Sequence, residues 1–256
     1  VLVDELAVER RIAGHRVLHF RAVGSTSDVA RAGLMDGSLA VGDAVLADEQ
    51  RAGRGRRGRA WVTVPGGSLA ASVLLAPPPL PRPGGLTVLC AVAACRALEG
   101  CGARELRIKW PNDLMRADRK VGGLLAESLE GPAGPAVVLG IGLNLCLRPG
   151  DLPPALAVLA GDAGLSAGEA TRDALLAALL LELDAALART GAQPDAALGE
   201  EYRRRSWLTG RRVELRVAGE PVAGVLADVS ADGDLLLDDG RVLPGETAEL
   251  LRVAPR

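Results

Sequence analysis

Asp48-Glu49-Gln50-Arg51-Ala52-Gly53-Arg54-Gly55-Arg56-Arg57-Gly58-Arg59-Ala60-Trp61 is the stretch on which the reading of this chain turns. Arg51, Arg54, Arg56, Arg57 and Arg59 crowd into it, and after Glu49 no acidic residue appears until Glu99. The positive charge has no partner nearby in sequence, and three glycines leave the backbone open to close approach. Such a segment gains little from folding and much from a polyanion, which marks it as a phosphate-gripping loop. Held only by ligand charge, Gly53 to Trp61 is expected to be mobile until a ligand orders it.

Three other readings compete. Gly53, Gly55 and Gly58 spell G-x-G-x-x-G, and a strand from Ala44 to Ala47 precedes them. A dinucleotide fingerprint needs a helix next, whereas Trp61-Val62-Thr63-Val64 reads as strand, stopped by Pro65-Gly66-Gly67. A short basic run also suits nucleic acid or heparin, or a merely solvated loop. The net charge of −2 makes the basic loop a local feature. A dedicated nucleic-acid binder carries its basic face across the domain.

Scarcity points elsewhere. Of thirty basic residues only Lys109 and Lys120 are lysines; the only asparagines are Asn112 and Asn144, and the only glutamines Gln50 and Gln193. Four of these six fall between Lys109 and Asn144, and Gln50 opens the arginine loop. A compact ammonium and a wide guanidinium fork are not interchangeable, so the two lysines mark places where a point charge is required. Cys90, Cys95, Cys101 and Cys146 show no C-x-x-C spacing, and with only His15 and His19 beside them no zinc constellation assembles. No metal site of the chain's own is expected. The start of the chain is charged at once, with no secretory or membrane-length apolar run, so the expectation is a soluble cytoplasmic protein of bacterial type.

Outward from the loop, residues 1–13 suggest a short amphipathic helix, and Val17 to Phe20 a strand. Gly24-Ser25-Thr26-Ser27-Asp28 enters a helix to about Met35; its hydroxyls are read either as helix caps or as small polar groups facing a ligand. Ser68 to Leu75 is a buried strand, Ala76 to Gly85 a proline-rich connection, and Leu86 to Leu98 a buried helix. Leu106 to Trp110 is a strand running into a turn over Pro111 to Met115. Strands follow at Arg119 to Ser128 and at Ala136 to Asn144, where Gly140 and Gly142 mark a close backbone approach. Ser166-Ala167-Gly168-Glu169 is a capping-box pattern opening a helix to about Arg189, and a second helix spans Ala196 to Ser206. From Arg211 the texture changes to short alternating strands separated by glycine turns, a small barrel-like unit.

Four blocks in this order resemble the biotin protein ligases: Gly53-Arg54-Gly55-Arg56-Arg57-Gly58-Arg59-Ala60-Trp61, Lys109-Trp110-Pro111-Asn112-Asp113-Leu114, Lys120-Val121-Gly122-Gly123-Leu124-Leu125-Ala126-Glu127, and Gly140-Ile141-Gly142-Leu143-Asn144. The resemblance covers about Gly24 to Leu208, and the all-β end fits it. Two departures from the family pattern stand out: Ser27 stands where asparagine is expected, and Val121-Gly122-Gly123 where Leu-Ala-Gly is usual, with Gly123 in place. About two dozen residues precede Gly24, too few for the DNA-binding helix-turn-helix of some relatives. A monofunctional ligase is therefore expected.

The resemblance implies an α+β fold. A mixed-sheet catalytic domain of the class II aminoacyl-tRNA synthetase and biotin ligase type would span 1–208, and a small SH3-like domain 209–256. It implies ATP-dependent formation of biotinyl-5′-adenylate, with Mg²⁺ arriving on the nucleotide, and transfer to one lysine of a biotin carboxyl carrier protein. No DNA or membrane partner is implied, and the state is monomer or homodimer. Catalysis is assigned to Lys120, Arg56, Asp113 and Lys109. Asp113 serves either the Mg²⁺ shell or the acceptor amine, and Lys109 either phosphate or a structural ion pair. Biotin falls to Ser25, Thr26, Ser27, Gln50, Gly53, Arg54, Gly55, Arg56, Lys120 and Gly123. ATP and the adenylate fall to Arg54, Arg56, Arg57, Arg59, Trp61, Asn112, Lys120 and Asn144. The C-terminal unit docks the acceptor, completes the ATP site or stabilises the fold. Two rivals stay open: a lipoate or octanoate ligase-transferase of the same fold, and a nucleic-acid-binding module using the arginine loop.

Overall fold

The computed structural model describes residues 7–80, 82–190 and 196–254. Its larger sheet begins with a hairpin in which β1 (Val8–Ile12) and β2 (His15–Val23) pair antiparallel across Ala13 and Gly14, both at positive φ. From β2 the chain crosses through α1 (Thr26–Asp36) to β3 (Ala44–Gln50), which lies parallel to β2. The remaining strands are β4 (Ser68–Leu75), then, after α2 (Pro83–Gly100), β5 (Leu106–Lys109), β6 (Asp113–Arg116), β7 (Arg119–Gly131) and β8 (Gly134–Asn144). Their spatial order is β1-β2-β3-β4-β8-β7-β6-β5, and every pair except β2/β3 is antiparallel. The mixed sheet expected of an α+β fold is present.

Helices cover the two faces. α1 packs with Phe20, Val45, Ala47, Leu74 and Val138 in the smaller of two apolar clusters. On the other face lie α2 and, beyond the short α3 (Pro154–Ala157), the long α4 (Glu169–Ala188). The leucine stripe of α4 behaves as its spacing predicts: Leu175, Leu176, Leu179, Leu180 and Leu183 are fully buried, each worth about 1.5–3 kcal/mol of apolar transfer. α5 (Ala196–Arg205) follows and buries Tyr202 against α2 and the β5 edge.

Beyond α5 come β9 (Arg212–Val217), β10 (Glu220–Val229), β11 (Leu235–Leu237), β12 (Val242–Leu243) and β13 (Ala248–Val253). They form one antiparallel sheet in the order β12-β11-β10-β9-β13. The alternation read from Arg211 onward is that of these strands; the two-residue β12 escaped it. No helix among the described residues is long and apolar enough to cross a membrane.

The structure corrects five local readings. Residues 8–12 are strand, not helix, because they pair residue for residue with β2; Leu2 and Leu6 lie outside the described residues. Trp61 to Val64 joins no sheet. The Trp61 amide donates to Gly53 O and the Val64 amide to the Ser68 hydroxyl, so β-propensity finds no ladder. The turn at Pro111 is shorter than expected, and Asp113 already pairs with both neighbouring strands. The N-cap of α4 is Gly168, whose amide donates to Gly66 O, and no side-chain cap forms; docking on that turn overrides the Ser166 box. The α1 N-cap, Ser25, also makes no side-chain cap bond.

Candidate active site

A cavity of about 280 Å³ opens where the N-terminus of α1, the end of β3, the arginine loop and β6–β8 meet. Its polar end is built by a relay of hydroxyls. Thr26 donates its Oγ1–H to Gln50 Oε1 (3.1 Å), and the Thr26 amide donates to the same oxygen (2.9 Å). With that proton committed, Thr26 Oγ1 accepts from Ser72 (2.8 Å), and Ser72 Oγ in turn accepts from Ser27 (3.0 Å). The chain Ser27→Ser72→Thr26→Gln50 thus has one direction. It fixes the carboxamide, leaving the Gln50 NH₂ as its donor end. Ser25, Ser27 and Gln50 line the cavity.

The opposite end is cationic. Lys120, on β7, donates from Nζ to Asp113 Oδ1 at 2.5 Å across the β6–β7 pair. Gly123 makes room for them: a β-carbon there would stand 3.2 Å from Lys120 Nζ and 3.4 Å from Asp113 Oδ1. Arg56 and Arg59 lean into the same space. Burial, and then the neighbouring Arg57, hold Arg56 below the usual guanidinium range, with Asp113 opposing. A cation buried among cations is relieved by an anion. Arg54 is differently placed: it grips Asp28 of α1 with both Nη atoms, at 2.7 and 2.5 Å, while still lining the cavity.

Trp61 forms the wall between the two ends. Its indole lies on β8 at Gly142, and its Nε1 is buried without a hydrogen-bond partner among the described residues. Leu156 and Leu159 of the α3 segment also line the cavity although 39% and 66% exposed. They offer apolar surface for a ligand to cover. Asn144 reaches the lining from the end of β8, but its amide is engaged. Nδ2 donates to Gly161 O (3.0 Å) and Oδ1 accepts from Ser68 (3.3 Å), so the side chain ties the α3 segment down. Asn112 likewise donates to Leu124 O.

The structure therefore gathers Ser25, Ser27, Gln50, Arg54, Gly55, Arg56, Arg59, Trp61, Asn112, Asp113, Lys120, Gly123 and Asn144 around one cavity. Four expected residues stand outside its lining. Thr26 is turned into the relay; Gly53 is buried, where a β-carbon would meet Trp61 O at 2.6 Å. Arg57 pairs with Glu249 of β13, so the loop's charge is not wholly without partners. Lys109 lies against the Trp207 ring. Sequence reasoning missed Ser72, Asp28, Glu249 and the α3 leucines. Ser72 alone left a signal, a hydroxyl inside an otherwise apolar strand.

The biotin–[acetyl-CoA-carboxylase] ligase of Mycobacterium tuberculosis is 34% identical over 227 residues, 85% of this chain and 81% of that protein. The biotin/lipoate A/B protein ligase family matches residues 20–144. The chain belongs to that family. The bifunctional ligase/repressor BirA of Escherichia coli is 32% identical over 220 residues, spanning 84% of this chain and 67% of BirA. Among solved structures, the biotin protein ligase from Aquifex aeolicus in complex with biotin and ATP superposes with a TM-score of 0.78. It covers 92% of this chain and 98% of its own, at 24% identity, a likeness of fold. In this member of the biotin/lipoate ligase family all four sequence blocks contribute to one cavity: the arginine loop, Asn112-Asp113, Lys120 with Gly123, and Gly140 to Asn144.

Proposed function

We propose that this chain is a biotin–[acetyl-CoA-carboxylase] ligase, which activates biotin with ATP as biotinyl-5′-adenylate and passes the biotinyl group to a lysine of an acceptor protein. The observation that carries this is the polarity of the cavity. A fixed carboxamide and hydroxyls stand at one end, Lys120, Arg56 and Arg59 at the other, with Trp61 between. That arrangement suits a ligand with a neutral hydrogen-bonding head and an anionic middle.

In the first step a carboxylate oxygen of biotin attacks the α-phosphorus of ATP, and pyrophosphate leaves with the electron pair of the broken P–O bond. Lys120 holds the two anions together as a point charge, a role a planar fork fills poorly. Arg56 and Arg59 stabilise charge on the phosphates, and Mg²⁺ enters with the nucleotide as part of that substrate. The ureido carbonyl of biotin accepts from the Gln50 NH₂ end, with Ser25 and Ser27 beside it. Arg54, held by Asp28, fixes the loop over biotin, and Trp61 with Leu156 and Leu159 covers the adenylate. In the second step the acceptor amine attacks the anhydride carbonyl and AMP leaves. Asp113, which accepts from Lys120, is assigned the uptake of the amine's proton.

The acceptor assigned is a biotin carboxyl carrier protein. The catalytic unit assigned is residues 1–208, with an SH3-like unit at 209–256, a division supported by a five-stranded sheet drawn wholly from strands after 211. Biotin-dependent exchange of labelled pyrophosphate into ATP tests the reading. Exchange that needs biotin, and that lipoate cannot replace, is the expected result; no exchange would refute it.

A further inference from the structure

Trp207 stands between α5 and β9, at the junction of the two sheets. Its amide donates to Ile108 O (2.8 Å), and Ser206 bridges to Ile108, so this segment runs beside the edge strand β5. That contact sets the indole against the next residue of the strand, Lys109, whose Nζ lies 5.2 Å from the ring centroid. Arg211 stacks on the same ring at 3.6 Å. Asp118 Oδ1 accepts from both Trp207 Nε1 (3.1 Å) and Arg211 Nη2 (3.0 Å), pinning the ring by its nitrogen.

Lys109 faces Asp113, Lys120, Arg59 and Arg211; the first three of these line the cavity. Burial, with Lys120, Arg59 and Arg211, draws its ammonium below the usual lysine range, and Asp113 opposes them. A carboxylate in place of the indole would hold the lysine but cancel the charge that an incoming anion meets. A ring face holds the cation by its quadrupole and leaves the charge intact.

We infer that Trp207 is a positioning residue for Lys109: it holds the ammonium beside the cationic, anion-receiving end of the cavity and so ties the junction of the two sheets to nucleotide binding. This rests on the adenylation reading above. Lys109, just outside the lining, adds its charge to that of Lys120 and Arg59 toward phosphate, and Trp207 acts only through it.

The test is biotin-dependent ATP–pyrophosphate exchange by the full chain carrying Trp207→Phe, Trp207→Leu, Lys109→Met, or Trp207→Leu with Lys109→Met. Biotin affinity by calorimetry and the melting temperature control for folding. Trp207→Leu is expected to lower kcat/KM for ATP about tenfold, the scale of one desolvated cation–π contact, while Trp207→Phe stays within about threefold of wild type. Biotin affinity should not move. In the Lys109→Met background the leucine substitution should add no further loss. Trp207→Met serves as the filler should leucine unfold the junction, with the same non-additivity expected. An equal loss in the Lys109→Met background, or phenylalanine as damaging as leucine, overturns the inference. Absence of exchange in the wild type would instead sink the adenylation reading, so the two failures are distinct.

Discussion

A β-carbon on Gly142 would stand 2.5 Å from Cε2 of Trp61. The indole therefore rests on bare backbone near the C-terminal end of β8, and the cavity wall depends on a missing methyl group. Gly142→Ala is expected to push the ring outward at an overpacking cost of about 1–3 kcal/mol. ATP affinity should fall about tenfold or more, the equivalent of that energy. Biotin affinity should change less, because its polar head is held at the other end. Calorimetric titration with each ligand checks this, and unchanged ATP affinity would remove Trp61 from the nucleotide wall.

Lys120 is bonded to Asp113 with Gly123 beneath them, so the space suits an ammonium. Lys120→Arg keeps the charge but widens the head group. Adenylate formation is expected to drop about a hundredfold or more, as for loss of a main electrostatic donor. A quench assay of pyrophosphate release measures it; near-normal release would reassign Lys120.

Arg56 is held below the usual guanidinium range by burial and by Arg57, so it gains most from an anionic partner. Arg56→Ala should leave biotin affinity nearly intact and speed loss of adenylate from the enzyme by about ten- to a hundredfold, as expected for one charge-assisted hydrogen bond. Chromatography of free adenylate after a single turnover provides the readout.

Arg51, Arg54, Arg57 and Arg59 are exposed, and two of them are moored at a distance, Arg54 to Asp28 and Arg57 to Glu249. Trypsin should cut among them readily in the free protein and slowly with biotin and ATP together. Equal cleavage rates would mean that the loop does not close on its ligands.

His15 offers a pH signature away from the cavity. Burial lowers its pKa, but the Gly42 carbonyl, Asp184 and Asp43 together outweigh burial and raise it above 6.5. A histidine pKa raised in the fold stabilises fully below the unfolded value and loses that contribution as pH climbs through the folded one. The melting temperature should fall slightly from pH 6 to pH 8, and His15→Gln should flatten that slope.

Much of this architecture was legible because its signals are local. The α4 leucines, the apolar α2 and the alternation after Arg211 each declare themselves within a few residues. Among the scarce residues Lys120, Asn112, Asn144 and Gln50 line the cavity while Lys109 stands outside its lining, and for Lys120 the reason is chemical, since a guanidinium fork cannot replace a point charge. What stayed hidden depends on partners remote in sequence. β1 is strand only because β2 turns back on it, and Trp61 to Val64 is irregular only because no strand lies beside it. Asp28 and Glu249 are ordinary residues until folding brings them to Arg54 and Arg57, and Ser72 shows only a hydroxyl in an apolar strand until Thr26 meets it. Lys109 stands out as one of only two lysines, but its neighbour Trp207 lies nearly a hundred residues downstream.

The relay from Ser27 through Ser72 and Thr26 to Gln50 makes the far wall of the cavity electrically one-way. Each hydroxyl spends its only hydrogen on the next, so Gln50 can greet a lone pair but cannot exchange roles with its guest. A molecule of identical outline with donors and acceptors swapped would fit the space and still be refused. The discrimination needs no steric clash at all.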